Sequence, residues 1–82
     1  MAQQQPMSGG KVEAMSDLTY DLVAELACAA EAVDSLDTYI DDAKKENLSD
    51  VAQLLTQIRD NEIRHCDMLR KVISDKVVSG TF

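Results

Sequence analysis

The chain has 82 residues and a net charge of −7, with no Trp, one Phe and two Tyr. A domain this short buries too little apolar surface for a large core of its own, so partner subunits are expected. Its acidity excludes phosphate neutralisation and hence nucleic-acid binding, and it has no run of about twenty apolar residues to span a bilayer, so no membrane role is expected.

Residues 1–15 open with three consecutive Gln, then Pro6, Ser8, Gly9 and Gly10, and offer little to bury. They read as a disordered arm. There is no basic-then-apolar leader pattern, so a cytoplasmic protein is expected. Ser16 then suits a helix N-cap, with Asp17 in the first turn where the helix dipole favours a carboxylate.

From there Leu18, Leu22, Leu26, Ala29, Val33, Leu36, Ile40 and Ala43 recur at threes and fours, and at about 100° per residue they share one stripe. The first helix is predicted over residues 16–44. Between Asp17 and Asp42 it carries eight carboxylates and no Lys or Arg, a pattern that fits a solvated face or one that attracts cations. Lys44, Lys45, Glu46 and Asn47 form a short turn, with Asn47 a suitable cap for the second helix.

Val51, Leu54, Leu55, Ile58, Leu69, Val72 and Ile73 give a second stripe and a helix predicted over 48–75. Together 16–75 make one helical hairpin, and residues 76–82 read as a flexible tail. The fold class is all-α: an antiparallel two-helix hairpin that reaches a four-helix bundle by dimerisation. Cys28 and Cys66 lack Cys-x-x-Cys spacing and read as reduced packing residues.

The second stripe is interrupted by Glu62 and His65, spaced i and i+3 so that both project the same way. An unpaired carboxylate on an apolar face costs several kcal/mol, so it calls for a cation, a hydrogen-bond network or a metal. Di-iron and di-manganese carboxylate bundles supply, for each half-site, one Glu from one helix and a Glu-x-x-His from its neighbour. Iron(II) or manganese(II) suits this mixed oxygen and imidazole set. A purely structural alternative pairs His65 with Glu62, or with Arg59 or Arg64. The remaining carboxylate would come from the first helix: Glu31 is nearer in height, whereas Glu25 has the better phase. Met68 and Cys66 read as core or interface filler, and Tyr39 as either a packing residue or a group beside the metal.

The region from Glu31 to Ile73, by way of Glu31-Ala32-Val33-Asp34 leading to Tyr39, the turn before Asp50 and Arg59-Asp60-Asn61-Glu62-Ile63-Arg64-His65, resembles the encapsulated ferritins, two-helix ferritin-like cargo of encapsulin nanocompartments. It covers about half the chain. The resemblance implies a ferroxidase centre shared across a two-fold axis, dimers assembled into a ring, Glu62 and His65 as metal ligands and Tyr39 as a tyrosine beside them. It also implies an encapsulin shell as partner and iron storage as the purpose. The family's helix-one ligand precedes the tyrosine by seven residues, which here is Ala32; Glu31 precedes it by eight and Glu25 by fourteen. Residues 77–82 carry no convincing encapsulin-targeting sequence. The function expected is iron(II) oxidation at a di-metal site with Glu31, Glu62 and His65 as ligands; the alternative is a non-catalytic oligomerising hairpin whose Glu62 and His65 fix register.

Overall fold

Ser16 caps the first helix as expected. Its backbone is extended, and its hydroxyl accepts the Thr19 N–H at 3.2 Å, capping a helix whose first turn carries Asp17. A computed structural model of the chain describes residues 15–82, so the arm expected over residues 1–15 lies outside the described residues apart from Met15. Helix α1 runs Asp17–Lys45 and α2 Ser49–Ser79, and the two pack against each other along their length. The all-helical hairpin is thus observed.

The turn is tighter than the sequence suggested. Asn47 is not the cap of α2 but a left-handed turn residue at φ 60°, a conformation that Asn tolerates better than most side chains. The Leu48 N–H then donates to the Ala43 carbonyl at 3.0 Å and the Asn47 N–H to Lys44 at 3.0 Å, which satisfies the carbonyls left open at the end of α1. Lys44 and Lys45 occupy that last turn, complementing the dipole. Leu48 takes the N-cap position of α2 without a side-chain bond, and Asp50 accepts the Val51 N–H at 2.9 Å.

Residues 76–82 are not a loose tail. Helix α2 continues to Ser79 and ends at Gly80, whose φ of 77° is strained for any residue with a Cβ. The Thr81 N–H donates to Lys76, and the chain folds back so that the Phe82 carbonyl accepts from the Thr19 hydroxyl at 3.4 Å. Thr81 and Phe82 line a groove at the open end of the hairpin with Leu18, Thr19 and Leu22.

The contact between helices is made by Ala29, Leu36, Ile40 and Ala43 of α1 and by Ala52, Leu55 and Cys66 of α2, with Ile40, Ala43, Ala52 and Leu55 forming a cluster next to the turn. Small residues dominate, so the backbones approach closely. The extents are 54 × 31 × 12 Å, a single layer of helix, and among the described residues no large side chain is fully enclosed.

The second stripe divides in two. Leu55, Leu69 and Ile73 turn toward α1 and are partly covered, whereas Val51, Leu54, Ile58 and Val72 stay exposed beside Met68. The cause is width: the apolar positions of α2 span more of the helix than one neighbour can cover. Leu18 is likewise exposed rather than buried. Cys66 packs between the helices, but Cys28 is exposed, which corrects its reading as a packing residue. Met68, at 65% exposure, is not core filler of the single chain.

Candidate metal centre

The ion pair of Arg59 with Asp37 bridges the antiparallel helices on the turn side of mid-length and marks their register. Glu62 and His65 follow Arg59 by three and six residues, on the part of α2 that borders the exposed apolar strip. The Nδ1 atom of His65 lies 2.7 Å from Oε1 of Glu62, with side-chain exposures of 56% and 24%. Glu62 therefore lies at the margin of the interhelical contact, and His65 stands further out beside Ile58, Met68 and Val72.

The neighbouring cations are engaged elsewhere. Arg59 pairs with Asp37 and Asp60, Arg64 donates to Asn61, and Arg70 pairs with Asp67. Among the described residues, His65 is thus the partner of Glu62, and the arginine pairing weighed for His65 is not the one formed.

Two donor atoms facing each other suit chelation. A cation held by both at about 2.1 Å, in adjacent coordination positions, needs them about 3 Å apart, close to the separation already present. The mixed carboxylate and imidazole set matches iron(II), manganese(II) or zinc(II). Among the described residues, however, no group of three or more Cys, His, Asp or Glu side chains converges on one point. One chain thus offers a fitting pair of ligands and not a full coordination shell.

Both helix-one carboxylates are exposed. By the Asp37–Arg59 register, Glu31 is level with His65, the height expected for it. Glu25, level with Lys71, lines an open groove of about 290 Å³ with His65, Met68, Leu69 and Val72. Its favourable phase was legible in the sequence, whereas the groove depends on how α2 is rotated against α1. Tyr39, half-exposed, sits beyond Arg59 toward the turn and away from Glu62 along the bundle axis.

Two further grooves lie near the turn, one lined by Lys44, Asn47, Ala52, Gln53, Thr56 and Gln57 and one by Asp37, Ile40, Asp41 and Arg59. Among the described residues no helix is long and apolar enough to cross a membrane. No protein-family model, curated protein or solved structure matches the chain.

Proposed function

We propose that this hairpin is one half of a ferritin-like ferroxidase, in which two copies bring their Glu62 and His65 pairs together and oxidise iron(II) with dioxygen. The observation that carries this reading is the convergence of His65 Nδ1 and Glu62 Oε1 at 2.7 Å on the margin of an exposed apolar strip, with Arg59 committed to Asp37 and Asp60 and Arg64 to the Asn61 amide. Two ligands per chain are too few for a stable site, and a second copy doubles them.

Self-association has its own driving force. Covering Leu54, Ile58, Met68 and Val72 would contribute up to about 1.5–3 kcal/mol for each side chain fully buried. A single-layer hairpin lacks the second layer that domains ordinarily require, and another hairpin on this face supplies it. A dimer or a ring of dimers follows.

In such a pair Glu62 and His65 would hold the metal ions, and the helix-one carboxylate, Glu31 in the sequence reading, would complete each half-site, with Tyr39 nearer the turn. Two adjacent ions with open positions supply the redox chemistry that iron(II) oxidation requires. The chain's own contribution is geometric: it fixes the two donors on one rigid helix, beside an exposed apolar strip that a second copy would cover. The exposed Asp34, Asp41 and Asp42 draw iron(II) toward the hairpin through their local field. A layer 12 Å thick encloses no space for mineral, so iron storage would be the task of an encapsulin shell around many cytoplasmic copies.

A second reading is favoured by the absence, among the described residues, of any group of three ligating side chains: a non-catalytic module that self-associates through the same apolar strip, with Glu62 and His65 as a polar pair setting register. The two are separated by anaerobic addition of iron(II) to purified protein, separation by size, and a count of metal per chain before air is admitted. About one iron per chain in a dimer or larger species, with rapid ferric absorbance that is lost in His65→Ala, supports the ferroxidase. An unchanged oligomer without bound metal leaves the interaction module.

A further inference from the structure

Helix α2 carries two parallel lines of residues, and only one of them faces α1. The positions that recur at threes and fours from Ala52 through Leu55 and Cys66 to Ile73 are all buried or half-buried. One residue earlier runs a second line, Val51, Leu54, Ile58, Asn61, His65, Met68 and Val72, and every member of it is exposed. Its spacing alternates strictly between three and four, which is the heptad signature of a helix–helix seam. A step of one residue turns the line by about 100°, close to the angle between the two neighbours of a helix in a four-helix bundle.

Helix α1 has no matching line on this face. Glu25 shares the groove of His65, Met68 and Val72, and the heptad positions in line with it include Asp21 and Asp42. Laying α1 of a second copy on the seam would bury carboxylates against Leu54 and Ile58, whereas a second α2 presents apolar side chains there.

We infer that the exposed line is a seam with α2 of a second copy, antiparallel, in the register that sets Ile58 on the partner's Met68, Leu54 on the partner's Val72 and Asn61 on the partner's His65. The inference rests on the self-association proposed above and not on the metal. Charge selects the direction. In the turn half of the hairpin Asp41, Asp42 and Asp50 enter no ion pair among the described residues, while Arg70, Lys71 and Lys76 lie in the far half of α2. Antiparallel pairing brings these halves side by side, and parallel pairing sets the acidic half on itself.

Polarity selects the register. In the one named, apolar residues meet apolar ones and the two polar members meet each other. A slip of one heptad sets Asn61 and His65 against Ile58 and Leu54 in one direction, or against Val72 and Met68 in the other. Asn61 is thus the specificity-determining residue, since a lone polar side chain in an apolar seam fixes register at a cost in stability. Its side-chain oxygen accepts from Arg64, which leaves its amide hydrogens for the partner. The two-fold axis passes beside Ile63, with one Glu62–His65 pair on either side of it.

The test is oxidative cross-linking of cysteines placed in the full chain, with Cys28→Ser removing the exposed native thiol. It is run at concentrations where each reduced variant sediments as a dimer. Ile58→Cys with Met68→Cys is expected to give a dimer linked between positions 58 and 68, mapped by peptide mass spectrometry. Within one helix these positions stand about 15 Å apart, too far for a disulfide. Each of the two substitutions alone is expected to lose the link. Val51→Cys with Met68→Cys reports the slipped register and is expected to link only when Asn61→Leu is added. Asn61→Leu by itself should associate about tenfold more tightly, because the amide is no longer buried. A link from 58 to 58 overturns the antiparallel direction, and a 51-to-68 link in a chain that keeps Asn61 overturns the register. An Asn61→Leu chain that holds the single register overturns the role of Asn61. A dimer that gives none of these links overturns the seam and leaves self-association standing, and a strictly monomeric unmodified chain overturns both.

Discussion

Glu62 and His65 stand one helical turn apart on α2 and meet through Oε1 and Nδ1 at 2.7 Å, while the arginine nearest in sequence, Arg64, turns to Asn61. The pair is neither enclosed nor compensated by a stronger cation, and it borders the apolar strip of α2. Its energetic value to the isolated hairpin is small. Its position matters more than its strength.

Replacing both residues, as Glu62→Leu with His65→Leu, is therefore expected to abolish metal binding and leave the metal-free hairpin as stable or more stable. A partly exposed i,i+3 pair contributes about 0.2–0.5 kcal/mol, which the added apolar surface offsets. Metal per chain and a denaturant melt read the two effects separately. Loss of folding in the metal-free variant would show that the pair is structural.

Ile58→Asp places a charge in the exposed strip next to Leu54. The proposed dimer is expected to be lost in this variant at concentrations where the unmodified chain associates, because an unpaired carboxylate would be buried on assembly. Gln57→Glu, in a groove near the turn, serves as the control and should leave association unchanged. Sedimentation velocity measures both. A strictly monomeric unmodified chain would contradict the covered strip outright.

Ala29 is 3% exposed at the crossing of the helices, where only a small side chain fits. Ala29→Leu is expected to cost about 1–3 kcal/mol through overpacking, seen as an earlier thermal transition. The same substitution at Ala30, which is exposed, should change stability by less than about 0.5 kcal/mol. Equal effects would mean that α1 is rotated from the orientation described.

Gly80→Ala forces a Cβ into the left-handed region at φ 77°, although nothing within 4 Å obstructs it. The expected cost is about 1–2 kcal/mol, borne locally as fraying of the last turn and release of Phe82 from Thr19. Faster amide exchange over residues 77–82 is the readout. Gly80→Asn should lose less, since Asn visits this region readily.

Much of the fold was legible in the residue pattern. Spacing at threes and fours announced two helices, Ser16 announced the start of α1, and the polar run at 44–47 announced the reversal. These are local effects, settled by backbone sterics, caps and charge near helix ends. The exceptions are local too: Asn47 is a residue that serves equally as a cap or as a left-handed turn, and the sequence does not distinguish the two.

The site was legible in part. The i,i+3 relation of Glu62 and His65 follows from helix geometry alone, since residues three apart on one helix are neighbours whatever surrounds them. What the tertiary structure decided is azimuth. An apolar arc wider than one neighbour leaves open which residues face α1, and the packing of Ala29, Ala52 and Cys66 sets that rotation. It turned Leu55 and Leu69 inward, left Ile58 and Val72 outside, and let Glu25 line the groove that includes His65. Periodicity fixes the angle between residues on one helix, and only contact with the second helix fixes the angle between helices.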